Sequence, residues 1–218
     1  MLILALDTAT DAVSAAVLAT PADRVLGRAS FAGPVAHGEQ VAEVVARALA
    51  QAAAAPRDLA AVGVGRGPGP FTGLRVGLVH AAVLGWALGI PVHGVCTLDV
   101  LAAQAAPEMG GEFLVATDAR RREVYWARYA PDGTRLLGPL VDAPGGVPDR
   151  GVPAVGTGAA RYAEQFPGHR SPTHPDPGVL ARLVAARLRA GVAAEVAPMY
   201  LRRPDAVAAT TRKRVTPG

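Results

Sequence analysis

One stretch, Gly65 to Gly89, constrains the fold more than any other: GRGPGPFTGLRVGLVHAAVLGWALG. A β-like run, Leu59 to Val64, leads into it, and Ile90-Pro91 closes it. Glycine and proline punctuate regular structure, so the loop reads as a tight strand-to-helix connection. The apolar run after it predicts a helix. Thr72 is expected to cap that helix, its hydroxyl accepting from free backbone N–H groups of the first turn. Small residues recur at every fourth position: Gly73, Gly77, Ala81, Gly85 and Gly89. Residues four apart form a ridge on a helix, and a ridge without side chains is a groove that another element can enter. Each interior glycine costs ~1 kcal/mol relative to alanine, so the pattern asks for a packing reason. Burial in the chain's own domain and a subunit interface both supply one.

The 218 residues suffice for one large domain or two small ones. Half are hydrophobic and 18% are charged, which marks a globular chain. The net charge of +4 permits a nucleic-acid partner without demanding one. Cys96 is the only cysteine, which leaves no disulfide framework and no cysteine metal cluster. Val76 to Ile90 is nearly continuous and apolar, but it is shorter than the ~20 residues of a membrane span and contains His80. With a first strand beginning at Leu2, no signal peptide and a cytoplasmic location are expected.

Three strand-like runs, from Leu2, Val13 and Arg24, precede any helix and suggest an antiparallel meander. His37 to Ala54 reads as an amphipathic helix, with Val41, Val44, Val45, Ala48 and Leu49 on one face. The order β-β-β-α-β-α-β then fills the first hundred residues. Thr97 is expected to cap a short helix. Strands are expected from Glu112, Glu123, Thr134 and Val152, and helices from Ala159 and Val179. A late strand is expected over Val196 to Leu201. The chain divides as residues 1–106, 107–209 and a basic tail, 210–218, expected to be disordered. Both halves open with strands, as a duplicated α/β unit would.

The phosphate-loop motifs do not fit. Gly69-Pro70-Phe71-Thr72-Gly73 lacks the spacing and the lysine of a P-loop, and Gly67-x-Gly69 is not followed by the third glycine of a dinucleotide fingerprint. Asp7, Thr8 and Thr10 at the end of the first strand carry chemistry suited to Mg²⁺ and phosphate. Together with Gly67, Gly69 and Thr72 they are the candidate nucleotide- or anion-binding residues. No histidine pair has metal-ligand spacing, so no metal site is expected. No serine sits in a nucleophile elbow, and Cys96 beside an apolar strand reads as filler. Arg120-Arg121-Arg122 with Tyr125 and Trp126 reads either as a nucleic-acid patch or as an exposed turn before a strand.

Taken in order, LALDTATDAVSAAVL, GRGPGPFTGLRVGL, IPVHGVCTLDVLA, ATDARRREVYWARY and PMYLRRPD resemble the TsaB (YeaZ) family. Pro70 stands where that family usually has serine, and His37-Gly38 where it has a His-Ser pair. The resemblance implies an α/β, actin-like (ASKHA, ribonuclease H-like) fold of two subdomains, the second reduced. It implies the non-catalytic dimerisation subunit of the bacterial tRNA threonylcarbamoyladenosine machinery, with no catalytic residues of its own. The partners implied are the catalytic paralogue TsaD, the ATPase TsaE, a second copy in isolation, and tRNA through the complex. No cofactor is required by this subunit, while ATP and Mg²⁺ belong to the assembled complex. On this reading the partner interface comprises Val41, Val45, Gly73, Leu74, Gly77, His80, Ala81, Leu84 and Gly85. Two rival readings remain: an ATP-dependent kinase or ATPase using Asp7, with Asp118 as the second carboxylate, and a metallopeptidase.

Overall fold

In the first six residues, Met1 to Leu6, apolar side chains run without alternation, as they do in a strand covered on both faces. The computed structural model bears this out. It describes residues 1–33, 37–193 and 195–202, with the side chains of Ala32 and His37 outside that description. The expectations for His37 and for the tail from Thr210 therefore fall outside the described residues.

Strand β1 (Leu2–Asp7) pairs antiparallel with β2 (Ala12–Ala19), and β2 with β3 (Arg24–Ala32), giving the meander. Helix α1 (His37–Gln51) crosses to β4 (Leu59–Gly65), which lies parallel to β1. Helix α2 (Phe71–Leu88) then crosses to β5 (Val92–Val95), parallel to β4. The first sheet thus has the order β3-β2-β1-β4-β5. Helix α3 (Thr97–Ala105) leads to the second sheet. There β6 (Phe113–Asp118), β7 (Val124–Tyr129) and β8 (Arg135–Asp142) form another antiparallel meander. The short β9 (Ala154–Val155) and β10 (His169–Arg170) add to it in parallel, with α4 (Thr157–Arg161) between them. The order β10-β9-β6-β7-β8 repeats the first sheet strand for strand, β6 standing for β1. The repeat is reduced: among the described residues only a 3-10 turn, Pro144–Gly146, stands between β8 and β9 where α1 stands in the first unit, and α4 has 5 residues against 18 in α2.

The sequence division places the last helix, α5 (Pro177–Arg189), with the second half, but α5 packs on the first sheet. Leu180, Ala181 and Val184 lie against Ile3, Ala5, Leu18 and Ala61. The opposite face of that sheet, carrying Leu4, Leu6, Val62 and Val64, is covered by Val41, Val44, Val45 and Ala48 of α1. Helix α3 closes the second sheet, with Leu98, Leu101 and Ala102 against Phe113, Val115 and Tyr129. Helix α5 starts at the Asp176 N-cap, whose carboxylate accepts from the Gly178 and Val179 amides at 2.6 and 3.2 Å. No strand forms at Val196 to Leu201, although the segment is tied down: Gly94 N–H donates to the Glu195 carbonyl and Met199 N–H to the Arg66 carbonyl.

Candidate docking face and the buried strand ends

Glycines in α2 serve the chain's own sheet. The hydroxyl of Thr8, at the end of β1, donates to the Gly73 carbonyl at 2.7 Å and accepts from the Gly77 amide at 3.0 Å. It thus engages both groups of an i, i+4 pair that a regular turn joins directly. A Cβ on Gly77 would stand 2.4 Å from that hydroxyl, and one on Gly85 2.2 Å from Val92 Cγ2. Gly73, Leu74, Gly77, Ala81 and Gly85 are buried this way, and Val41, Val45 and Leu84 pack into the first core. The expectation that the small-residue ridge meets a partner helix is therefore corrected: within this chain the ridge is filled by β1 and β5. Gly89 has a separate role, ending the helix in the left-handed conformation at φ 66.

The opposite side of α2 is open. Phe71, Val79, Val83 and Trp86 are 40, 61, 57 and 87% exposed. Residues at 71, 75, 79, 83 and 86 follow one helical ridge, an outward apolar stripe with Arg75 in it. Between α1 and α2 a shallow depression is lined by Gly38, Val41, Val76 and His80 together with this ridge. Of the expected interface residues, Val41 and His80 line that groove, and partial burial holds the His80 imidazole below the usual pKa. At the N-terminal end, the Arg75 guanidinium lies 3.6 Å from the Phe71 ring centroid, and its Nε donates to the Tyr200 hydroxyl at 3.0 Å. The Phe71 and Tyr200 centroids are 5.1 Å apart. The segment from Glu195 to Tyr200 is thereby fixed beside the open ridge. Sequence reading missed both features. The spacing of the outer ridge was legible, but a helix apolar on every side does not announce which stripe stays open.

Of the candidate nucleotide residues, Asp7, Thr8, Thr10, Gly67 and Gly69 are buried and Thr72 is not. Asp7 is 1% exposed. Its Oδ1 accepts from Ala9 N–H at 2.7 Å and its Oδ2 from the Thr97 hydroxyl at 2.8 Å. Burial pushes its carboxyl up to about 6, against the lowering effect of those two bonds. Thr97 is thus the first residue of α3, bonded to Asp7, rather than its cap. Thr8 is occupied by α2, and Thr10 accepts from Ala12 N–H. Gly67 and Gly69 are buried, and a Cβ on Gly69 would meet the Ala9 carbonyl at 2.3 Å. Thr72 does not cap α2, whose N-cap is Pro70; it lies exposed in the first turn. The loop is a rigid connection pressed onto β1's end, and Asp7 is buried beneath it with each oxygen accepting a hydrogen bond from the chain itself. Asp118 occupies the matching place at the end of β6. Its Oδ1 accepts from Arg120 N–H, repeating the Asp7–Ala9 turn, and its Oδ2 pairs with Arg120 and Arg161. Among the described residues no three His, Cys, Asp or Glu side chains gather as metal ligands. Burial raises the Cys96 thiol to about 12, which leaves it unreactive at neutral pH.

Two sheets of one order, facing helices, and paired aspartates at the ends of their first strands define an α/β protein of the actin-like, ASKHA type. The family model described as TsaD, tRNA N6-adenosine threonylcarbamoyltransferase, matches residues 34–211. An uncharacterized protein of Mycobacterium tuberculosis is 49% identical over 205 residues, 94% of this chain and 93% of that protein. The tRNA threonylcarbamoyladenosine biosynthesis protein TsaB of Escherichia coli is 38% identical over 133 residues, 61% of this chain and 56% of that protein. The solved structure of YeaZ from Pseudomonas aeruginosa superposes with a TM-score of 0.76 at 31% identity, covering 92% of this chain and 99% of its own. The chain belongs to the TsaB (YeaZ) family, within the wider group that the TsaD model describes.

Proposed function

We infer that this protein is a non-catalytic subunit of the machinery that makes N6-threonylcarbamoyladenosine beside the anticodon of tRNAs reading codons that start with A. It works in the cytosol by docking on the catalytic paralogue TsaD, with TsaE as the ATPase of the assembly, and pairs with a second copy when alone. ATP and Mg²⁺ act in the assembled complex rather than in this chain. The observation that carries this reading is the open ridge of α2. Four large apolar side chains in one stripe, Trp86 almost wholly exposed, form a patch of the kind that a partner covers. A docked pair of helices on α1 and α2 would bury it. The sealed state of Asp7 supports a subunit without its own phosphate chemistry.

The test is reconstitution of tRNA modification from purified TsaD, TsaE and this chain, with wild type beside the Val83→Asp/Trp86→Asp variant. The variant is expected to fold as wild type, to elute apart from TsaD and to leave modification at the level seen without this chain. A variant that still co-elutes with TsaD and supports modification would refute the docking face.

A further inference from the structure

The hairpin between β6 and β7 holds three consecutive arginines in the left-handed region: Arg120 at φ 61, Arg121 at 52 and Arg122 at 62. Glu123 N–H donates to the Arg120 carbonyl and Ala119 N–H to the Glu123 carbonyl, so Arg121 and Arg122 are the central pair of a tight turn. Both φ values are positive, the arrangement that calls for Asn-Gly or Gly-Gly. Side chains in that region cost energy through the clash of Cβ with the carbonyl oxygen. Arginine is not among the residues that this conformation favours, and strain of this kind collects at working sites.

What the turn presents is charge. All three arginines are exposed. Around the hairpin base, Asp118 is shared by Arg120 and Arg161, and Glu123 is paired with Arg202. By formal charge, five arginines there stand against two carboxylates. The further carboxylate in the same crevice, Asp11, is engaged by His174 at 2.9 Å. Tyr125 and Trp126 are buried and so cannot stack on bases, which corrects the picture of interleaved aromatics. The location also matters. Arg120 shares its crevice with Pro70, the residue before α2. Two residues beyond Tyr200, whose ring lies against Phe71, Arg202 pairs with Glu123. The basic turn thus sits beside the N-terminal end of the docking face.

We propose that the Arg120–Arg122 turn grips the phosphate backbone of a nucleic acid, the tRNA on which the assembly acts. The choice of tRNA rests on the function proposed above, whereas the phosphate contact rests on the turn alone. Guanidinium groups carried on consecutive residues of one tight turn suit phosphate oxygens and carry no base readout.

The experiment measures fluorescence anisotropy of a labelled, unmodified tRNA transcript titrated with the full chain over a range of salt. The Arg121→Asn/Arg122→Gly variant supplies the residues that such a turn prefers. Its melting temperature is expected to equal or exceed wild type, its affinity to fall about tenfold, and its log–log salt slope to lose about two contacts. An Arg121→Lys/Arg122→Lys variant is expected to keep the slope. Unchanged affinity and slope in the Asn-Gly variant would overturn the proposal, as would a lowered melting temperature, which would give the arginines a structural role. The Trp86→Asp chain separates the two readings: it should bind tRNA as wild type does while failing to dock. A wild-type chain that binds no tRNA defeats the phosphate contact and leaves the docking face standing.

Discussion

Thr8 reaches both the Gly73 carbonyl and the Gly77 amide because the helix carries no Cβ at Gly77. A methyl group there would sit inside the van der Waals distance of the hydroxyl, so β1 and α2 would have to part. Gly77→Ala is therefore expected to destabilise the isolated chain by about 2 kcal/mol in urea denaturation, although alanine favours helices. An unchanged midpoint would mean that α2 can shift at no cost. Asp7 allows a second test at this scale. Its carboxyl rises from 3.8 to about 6 on folding, so protonated Asp7 is the form that the fold prefers. The stability linked to this group is fully present below pH 4 and is lost as pH rises through 6. An amide in place of the carboxyl does not titrate: its Oδ1 can keep the Ala9 N–H bond and its Nδ2 can donate to the Thr97 hydroxyl, reversing that bond. The Asp7→Asn variant should match wild type near pH 4 and exceed it at pH 7.5 by on the order of 3 kcal/mol. A stability difference that does not change with pH would refute the assignment.

Helix α2 has two faces with opposite tasks. The inner face fits against β1 and β5 and fixes the helix by close approach. The outer face presents a ridge of bulky apolar groups to whatever covers it. Trp86 has the exposure and the chemistry of an interface anchor. Trp86→Ala is expected to weaken binding to TsaD by about 2 kcal/mol or more in calorimetric titration. The isolated chain's stability should stay within about 0.5 kcal/mol, since little inside the fold touches that indole. A loss of fold stability comparable to the loss of binding would argue that the tryptophan is structural. The segment at Glu195–Tyr200 forms no strand, yet Arg66, Gly94 and Arg75 hold it in place at one end of this ridge.

At the scale of the whole molecule, the two units exchange their closing helices. Helix α3 follows the first sheet in sequence and packs on the second, while α5 follows the second and packs on the first. Neither unit is complete without chain from the other. Residues 1–106 expressed alone would leave Ile3, Ala5, Leu18 and Ala61 uncovered. That fragment is expected to lack a cooperative thermal transition and to bind a hydrophobic dye, whereas the full chain melts cooperatively. A sharp transition in the fragment would show that α5 is dispensable.

Much of this was legible in the residues. Alternation and apolar runs placed the strands of the first hundred residues, the 3.6-residue period gave α1 its buried face, and the motifs pointed to the family. Local chemistry sufficed because each signal lies within one element. The sequence also determined that α2 must have a close neighbour, since so many glycines in a helix are unstable without one. Which neighbour was decided only in three dimensions. A helix apolar all round has no polar stripe to mark its solvent side, so the glycine ridge fits β1 and a foreign helix equally well on paper. The sheet resolved it, because the Thr8 hydroxyl at the end of β1 reaches Gly73 and Gly77 only from the inside. That contact turns Phe71, Val79, Val83 and Trp86 outward, and long-range packing of this kind leaves no local trace in a sequence.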